Sequence, residues 1–353
     1  MLTITEISLP ETVDDDWREY QRIDRAHYHE LIGGPEWDVT DEAALTAARA
    51  DSEHTVRRYL ARLDGEPVGN ARSRVNLVDE PEHIMVFVLT LPEFRGRGIG
   101  TALAERIRAD SPGFTCYQAW AECPIPGDGV ATISPPSGAG ALPADHPAVR
   151  LALRYGFKLG QVERVSRYDF ANPLVDPAEA LAEARAHAGD DYELIAWEGA
   201  AGDDILDDLA TLRQRMATDV PAGDLTVVEW QWDAERMRRS DQERLLTNRM
   251  FRTVVRHRPS GTLVALNELM LDRSNPDAFV DQWDTIVLPE HRGRRLGMLV
   301  KAANLIAVKQ AVPQAVSIVT WNAEENRHML NVNEALGYYP ILVEGGFELR
   351  PER

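Results

Sequence analysis

The strongest constraint on this chain is that it repeats itself. The segment LTLPEFRGRGIGTAL (89 to 103) returns as IVLPEHRGRRLGMLV (286 to 300). Upstream, DGEPVGNARSRV (64 to 75) is answered by SGTLVALNELML (260 to 271). Downstream, RLALRYGF (150 to 157) is answered by LNVNEALGY (330 to 338). Internal self-similarity of this kind means one structural unit used twice. Between Gly100 and Gly156 lie 56 positions, but between Gly297 and Gly337 only 40. The surplus falls in CPIPGDGVATISPPSGAGALPADHP (123 to 147), whose prolines and glycines mark an irregular insertion, expected either to cover the first unit's cleft or to hang as a loose loop. A length of 353 residues also asks for two domains. We expect units at 1–170 and 191–353, joined by a connector at 171–190.

Each copy shows the same coarse order of elements. The first opens with a strand (about 2 to 9) and helices near 14 to 30 and 40 to 50. A hairpin follows in which TVRRYLARL and NARSRVNL flank a DGEPVG turn. IMVFVLTL is apolar on both faces and reads as a central strand. A helix then starts near Ile99, with Ala102, Leu103 and Ile107 at helical spacing. Strand FTCYQAWAE, a helix over 147 to 155 and two closing strands to about Phe170 complete the copy. The second copy repeats this from YELIAWE (192 to 198). Its first helix carries Ile205, Leu206, Leu209, Leu212 and Met216 on one face, and its central helix Leu296, Leu299, Val300 and Ala303. In the connector, Asp176 and Pro177 begin a short helix that Gly189 ends.

A central strand running into a glycine-rich turn that opens a helix is suited to phosphate. Gly96, Gly98 and Gly100 in RGRGIG let the backbone approach a ligand, and the first amides of the helix lack internal partners. Those amides and the helix dipole favour an anion, to which Arg95 and Arg97 add charge and Thr101 a hydroxyl. The position after a central strand, the duplication, and a Gly-aromatic pair some 40 residues on (Gly337-Tyr338 in the second copy) separate this from an arginine-bearing surface turn.

These features resemble the GNAT (Gcn5-related) N-acetyltransferase superfamily, whose signature is Gln/Arg-x-x-Gly-x-Gly/Ala at the start of its central helix. Arg95, Gly98 and Gly100 match it fully. In the second copy Arg292 and Gly297 match, with Arg295 at the middle glycine position. The resemblance covers nearly the whole chain, and the tandem layout looks like actinobacterial double-GNAT enzymes such as mycothiol synthase. It implies an α/β fold of two tandem units, each a mixed, mostly antiparallel sheet flanked by helices. It implies acetyl-coenzyme A as cofactor, held in the first copy by the turn and by Ile99, and in the second by Gly293, Arg294, Leu296 and Met298 beside the signature residues. It further implies that pantetheine pairs with backbone near Leu89 and Leu91, and near Ile286 and Leu288, and that acetyl passes directly to an amine. Family members often place an asparagine 11 positions before the late glycine against the cofactor. Asn326 stands there in the second copy and Asp145 in the first. A tyrosine general acid four positions before that glycine is replaced by Ala152 and Asn333. Tyr155 and Tyr338, beside the glycines, read as core.

An amine must lose a proton before it attacks a thioester. The first copy's central strand, Ile84 to Leu91, offers no ionisable group, whereas FVDQWDTIVL (279 to 288) carries Asp281, Gln282 and Asp284. Acidic groups on a middle strand require a wet cavity or a partner. Asp284 or Glu268 is therefore expected to be the base, placing chemistry in the second copy; pairing with arginines such as Arg273 is the structural alternative. The acceptor is expected to be a small-molecule amine, and the loop MATDVPAGD (216 to 224), with Asp219 or Asp224, is a place for it. Trp230 and Trp232 line a pocket or simply pack. His27 and His29 read as a solvated pair on a polar helix, with no third ligand for a metal. Alternative functions are a non-catalytic acyl-CoA sensor, a protein-lysine acetyltransferase, or a tandem unit using aminoacyl-tRNA.

Composition bears on partners. A net charge of −19 opposes binding to nucleic acid and anionic lipid, and draws cations. No apolar run approaches the ~18 residues of a membrane span, and the start MLTITEISLPETVDDD lacks the pattern of a signal peptide. Two cysteines, Cys116 and Cys123, fit a reducing cytoplasm and read as a buried thiol pair. Only Lys158, Lys301 and Lys309 are lysines, so arginine dominates the basic residues, a bias that suits a GC-rich, actinobacterial genome. A monomer or weak dimer is expected.

Overall fold

The computed structural model describes residues 1–277 and 279–351. The first half contains β1 (Leu2–Ile7), α1 (Asp15–Ile32), α2 (Asp41–Ala50), β2 (His54–Leu63), β3 (Glu66–Asn76), β4 (His83–Thr90), α3 (Ile99–Asp110) and β5 (Cys116–Pro124). A small ribbon follows, β6 (Thr132–Ile133) with β7 (Leu142–Pro143), then α4 (Pro147–Arg154) and β8 (Lys158–Asp169). The connector forms α5 (Pro177–Ala188). The second half contains β9 (Tyr192–Glu198), α6 (Leu206–Asp219), α7 (Ala234–Arg244), β10 (Asn248–His257), β11 (Leu263–Asp272), β12 (Val280–Val287), α8 (Leu296–Ala311), β13 (Ser317–Ala323), α9 (Arg327–Ala335) and β14 (Tyr339–Leu349).

Local chemistry accounts for these boundaries. Asp14 caps α1, accepting from the Trp17 amide at 2.8 Å. Asp64 and Gly65 both take positive φ (51° and 91°), the conformation a two-residue hairpin turn between β2 and β3 demands. Asp176 caps α5 and Pro177 occupies its first turn, as the connector sequence suggests.

The repeat does not fold as two separate sheets. All the long strands join one sheet of 12, ordered β1-β2-β3-β4-β5-β14-β8-β13-β12-β11-β10-β9. Where two closing strands were expected before Phe170, there is a single strand, β8. The partner that each half needs at its inner edge comes from the other half. Thus β14 lies between β5 and β8, and β8 lies between β14 and β13, all antiparallel. Only β4–β5 and β12–β13 are parallel. Exchanging the last strand leaves neither half with an open inner edge.

Helices cover both faces. Ile99, Leu103 and Ile107 of α3 pack on Tyr59, Ala61, Val68 and Ala71. The connector is equally well packed: Ala184 and Ala188 of α5 lie against Leu296, Leu299 and Val300 of α8. The insertion is anchored rather than loose, with Leu142 buried against Ala121, Cys123 and Val149. Both cysteines are free and buried.

Two candidate cofactor clefts

In the first half, β4 and β5 pair from His83–Cys116 to Val86–Ala119 and then part. On the α3/α4 side of that split lies a cavity of about 700 Å³, lined by Val86, Val88, Ala104, Leu151, Ala152 and Tyr155 among others. Ala104, Ile107 and Arg108 are its α3 residues, and the first turn of α3 borders it, because a Cβ on Gly100 would stand 3.6 Å from Leu151 and 3.8 Å from Val88, two of the lining residues. Gly96 and Gly98 have φ of 76° and 82°, and a Cβ on either would meet nothing within 4 Å. They are glycine for the backbone they adopt, which leaves the amides of Ile99 and its neighbours facing open space. No side chain caps α3. Its orphan amides and its dipole therefore await an anion.

The arginines of this turn are less free than the sequence implies. Arg95 pairs with Glu30 of α1 (2.5 and 2.6 Å) and donates to the Thr90 carbonyl. The hydrogen bond from Arg95 to Glu30 holds the Glu30 carboxyl below its usual range. Arg97 is exposed over the Phe94 ring. The Thr101 hydroxyl accepts from Arg154 of α4 at 3.1 Å, and the Tyr155 hydroxyl donates to the Thr101 carbonyl and to Glu105. The backbone reading shifts by one residue. The Leu91 amide donates to Val68 on β3, and alternation gives Leu89 the same direction, so Val88 and Thr90 are the residues whose backbone groups face the split. Leu288 behaves likewise, donating to Val264, and Ile286 follows it.

The corresponding place in the second half is filled. There β12 and β13 pair from Val280–Ile318 to Gln282–Thr320 and part beyond. Gly293 keeps the positive φ of Gly96 (78°), and Arg295 takes the left-handed conformation of Gly98 at φ 55° despite its side chain. That side chain lies 3.5 Å from Glu183 of α5, and His187 of α5 contacts the Gly293 carbonyl at 3.1 Å. Arg292 binds the Val287 carbonyl and lies 3.4 Å from Asp219, while Arg294 is exposed. Met298 of α8, Val332 of α9 and Leu181 of the connector pack against one apolar cluster, and α5 lies along α8. Lys301, six positions past Arg295 as Ala104 is past Gly98, is fully buried. Its ammonium has no hydrogen-bond partner among the described residues and lies 5.3 Å from the Tyr338 ring centroid. Burial pushes its pKa down to about 7. Asn326 caps α9, its side-chain oxygen accepting from the Met329 amide.

The expected bases are also engaged. A β-bulge sets Trp283 and Asp284 opposite Glu268, which re-aims Asp284. Arg213 binds both Glu268 (2.7 Å) and Asp284, and Arg252 binds Glu268 and Asp241 (2.5 Å each). The partner is therefore Arg213, and Arg273 instead donates to the Asn248 carbonyl. Burial alone would raise the Glu268 carboxyl, but Arg252 and Arg213 outweigh it and hold it at about 2. Burial raises Asp284, and burial pushes Asp281 up to about 7 against its hydrogen bond from Trp283. Trp232 packs with α6 and under the Arg213 and Arg236 guanidiniums, and Trp230 approaches Glu80.

The face of the first split opposite the cavity carries a group that sequence reasoning missed. One residue past cavity-lining Ala121, Glu122 points to α1, where its carboxylate meets His27 Nε2 at 2.7 Å. His27 is thus half-buried in an ion pair, while its neighbour His29 sits on Asp38 at 2.8 Å. Tyr28 stands beside them, its phenol held well above its usual pKa by Glu122 first and then by burial. The signal available in the sequence was a glutamate near the end of a mostly apolar strand, three positions past the last β4–β5 pair.

Comparison with known proteins agrees with this architecture. Residues 10–128 match the model of the acetyltransferase (GNAT) family. No curated protein sequence matches the chain. Among solved structures, a tandem GNAT protein from the clavulanic acid biosynthesis pathway, solved without acetyl-CoA, aligns over 100% of both chains at 22% identity with a TM-score of 0.76. A GCN5-related N-acetyltransferase from Sphaerobacter thermophilus aligns over 100% of this chain and 97% of its own at 15% identity and a TM-score of 0.58. The chain has a tandem GNAT fold, within which residues 10–128 match the acetyltransferase (GNAT) family model.

Proposed function

We propose that this protein is an acetyl-CoA-dependent N-acetyltransferase acting on a small amine, with the cofactor in the first half. The observation that carries the reading is the uncapped, glycine-led start of α3 standing beside a cavity that lies between α3 and α4 over β4 and β5, which part there. The amides of Ile99, Gly100 and Thr101 would hold the pyrophosphate with Arg97, and Val88 and Thr90 would meet the pantetheine. Acetyl-CoA supplies the activated acetyl thioester. Glu122, across the split, would take the proton from the acceptor ammonium, with His27 fixing its carboxylate. The freed nitrogen lone pair forms the C–N bond as the C–S bond breaks, and the second proton that the nitrogen sheds passes through solvent to the departing thiolate. The Tyr28 phenol, kept protonated, lines the same face. Thiol release against an amine panel tests this. Glu122→Gln is expected to lose about 100-fold or more in kcat, as removal of a general base does; unchanged turnover would remove Glu122 from the reaction.

A second reading keeps the chemistry in the second half. It is favoured by the bulge that turns Asp284 toward the split of β12 and β13. Loss of turnover in Asp284→Asn, with Glu122→Gln fully active, would select it.

A further inference from the structure

The centre of the sheet carries three carboxylates that the transfer reading leaves mostly unused. Glu163 follows Gly156 by seven positions and Glu344 follows Gly337 by seven, so they are one position of the two copies. Strand exchange sets them directly opposite each other, and Glu122 lies opposite Glu344 on its other side. The three stand side by side on one face of β5, β14 and β8. Directly opposed like charges are destabilising. One flank is compensated, Glu122 by His27, while on the other Glu163 stands opposite Ala323 of β13. Glu163 and Glu344 have no ion pair or hydrogen bond among the described residues, although both are half-buried. Burial, reinforced by Glu325, pushes Glu163 up to about 7, and burial with Glu122 and Glu163 raises Glu344 further.

Independent observations mark this as a place for a ligand. The Oε2 atom of Glu325, beside Glu163, is buried without a partner, while its Oε1 accepts from Gln161. Of the cations on this face, Arg72 lies 3.7 Å from Asp24 and 4.0 Å from the Phe87 ring centroid, and Arg167, four residues along β8 from Glu163, forms no ion pair among the described residues. Aromatic rings form one wall, with Tyr28 5.2 Å from Trp37 and Trp37 5.8 Å from Trp321. The loop after α6 forms another, with Leu225 against Gly160 and Gly346.

We propose that this seam is the acceptor subsite of the first half and that it selects a diamine or polyamine. The reacting nitrogen sits at Glu122, beside the split, and a second ammonium sits between Glu344 and Glu163. The inference rests on the acetyl-transfer reading and names its substrate class. Strands spaced about 4.8 Å apart put those two positions roughly 7 Å from each other, a span of about four methylene groups. The aromatic wall suits both the methylene chain and its charged end. A monoamine would leave Glu163 and Glu344 without a partner.

The test is calorimetric titration of the full chain with 1,4-diaminobutane and with n-butylamine, for the parent, Glu163→Gln and Glu344→Gln, alongside thiol release with each amine. The diamine is expected to bind at least ~10-fold more tightly than the monoamine, and each substitution to weaken the diamine by about 10-fold, the scale of one partly desolvated charge pair, with a much smaller effect on butylamine. Both variants should unfold at or above the parent midpoint, since each removes a like-charge contact. Equal affinity for the two amines, or diamine binding untouched by both substitutions, overturns the proposal. Its failure differs from that of the transfer reading. Carboxylate-dependent diamine binding without thiol release upholds the subsite and removes the transfer, whereas equally efficient release with both amines does the reverse.

Discussion

The two copies keep the same strand, turn and helix, yet one leaves a cavity and the other is packed shut. In the first half, Gly98 supplies the left-handed residue before α3 and Ala104 leaves room beneath it. In the second, Arg295 holds the same backbone conformation, Lys301 fills the space that Ala104 leaves, and the connector helix lies along the outside. The charged residues differ in the same sense. Around Glu122 a carboxylate meets a half-buried histidine, while around Glu268 two arginines saturate the carboxylates. A signature motif thus fixes the helix start, and side chains one or two turns further on decide whether a ligand can reach it.

The largest expected effect lies in the second half's ion network. Arg213→Ala leaves Glu268 and Asp284 buried without their shared cation and should cost about 3–5 kcal/mol of stability by urea denaturation. The exposed Arg95–Glu30 pair of the first half should cost no more than about 1 kcal/mol on the same change. A small loss for Arg213→Ala accompanied by dead turnover would reverse the assignment of structural and catalytic halves.

The difference between the clefts predicts one acetyl-CoA per chain. Ala104→Lys copies Lys301 into the open cavity, and burying that amine should weaken acetyl-CoA binding by about 100-fold, close to 2.7 kcal/mol. Calorimetry that finds two equivalent sites, or an Ala104→Lys variant binding as the parent does, would break the comparison.

The repeat, the element order and both helix starts were legible in the sequence because each has a local cause: apolar periodicity, an Asp-Gly turn, a cap such as Asp176. The fused sheet was not. Strand β14 reads the same whether it pairs within its own half or across the seam, since both choices bury Leu342, Val343 and Phe347, and pairing partners are non-local. The engagement of Glu268 and Asp284 was missed for a related reason. Arg213 lies on α6 amid an apolar stripe, where an arginine reads as a solvent-facing break, yet it turns inward to two carboxylates some 55 and 71 positions away. Lys301 was invisible as a cleft-filling residue because its helix, α8, is apolar on nearly every side.

Lys301 offers a smaller effect with a pH signature. Its pKa falls from 10.5 to about 7 in the folded chain because burial disfavours the ammonium. Between those values the unfolded chain binds a proton that the folded chain does not, so stability rises with pH across that window. The penalty is complete below about 7 and gone above 10.5. Lys301→Met should add about 1–3 kcal/mol at neutral pH, the cost of an unpaired buried polar group, and the difference from the parent should shrink toward pH 10. A difference independent of pH would mean that Lys301 is paired in solution.

The smallest effect concerns the helix starts themselves. Arg295 holds φ at 55°, a conformation that costs a side-chain-bearing residue about 1–2 kcal/mol, part of which glycine would give back as chain entropy on unfolding. Arg295→Gly should therefore stabilise by about 0.5–1 kcal/mol and, with Lys301 and α5 still in place, leave acetyl-CoA stoichiometry at one. Gly98→Arg, the mirror change, should destabilise by a similar amount and also lose acetyl-CoA. If Arg295→Gly by itself creates a second acetyl-CoA site, the turn rather than the side chains beneath it closes the second cleft, and the comparison drawn from Ala104 and Lys301 fails.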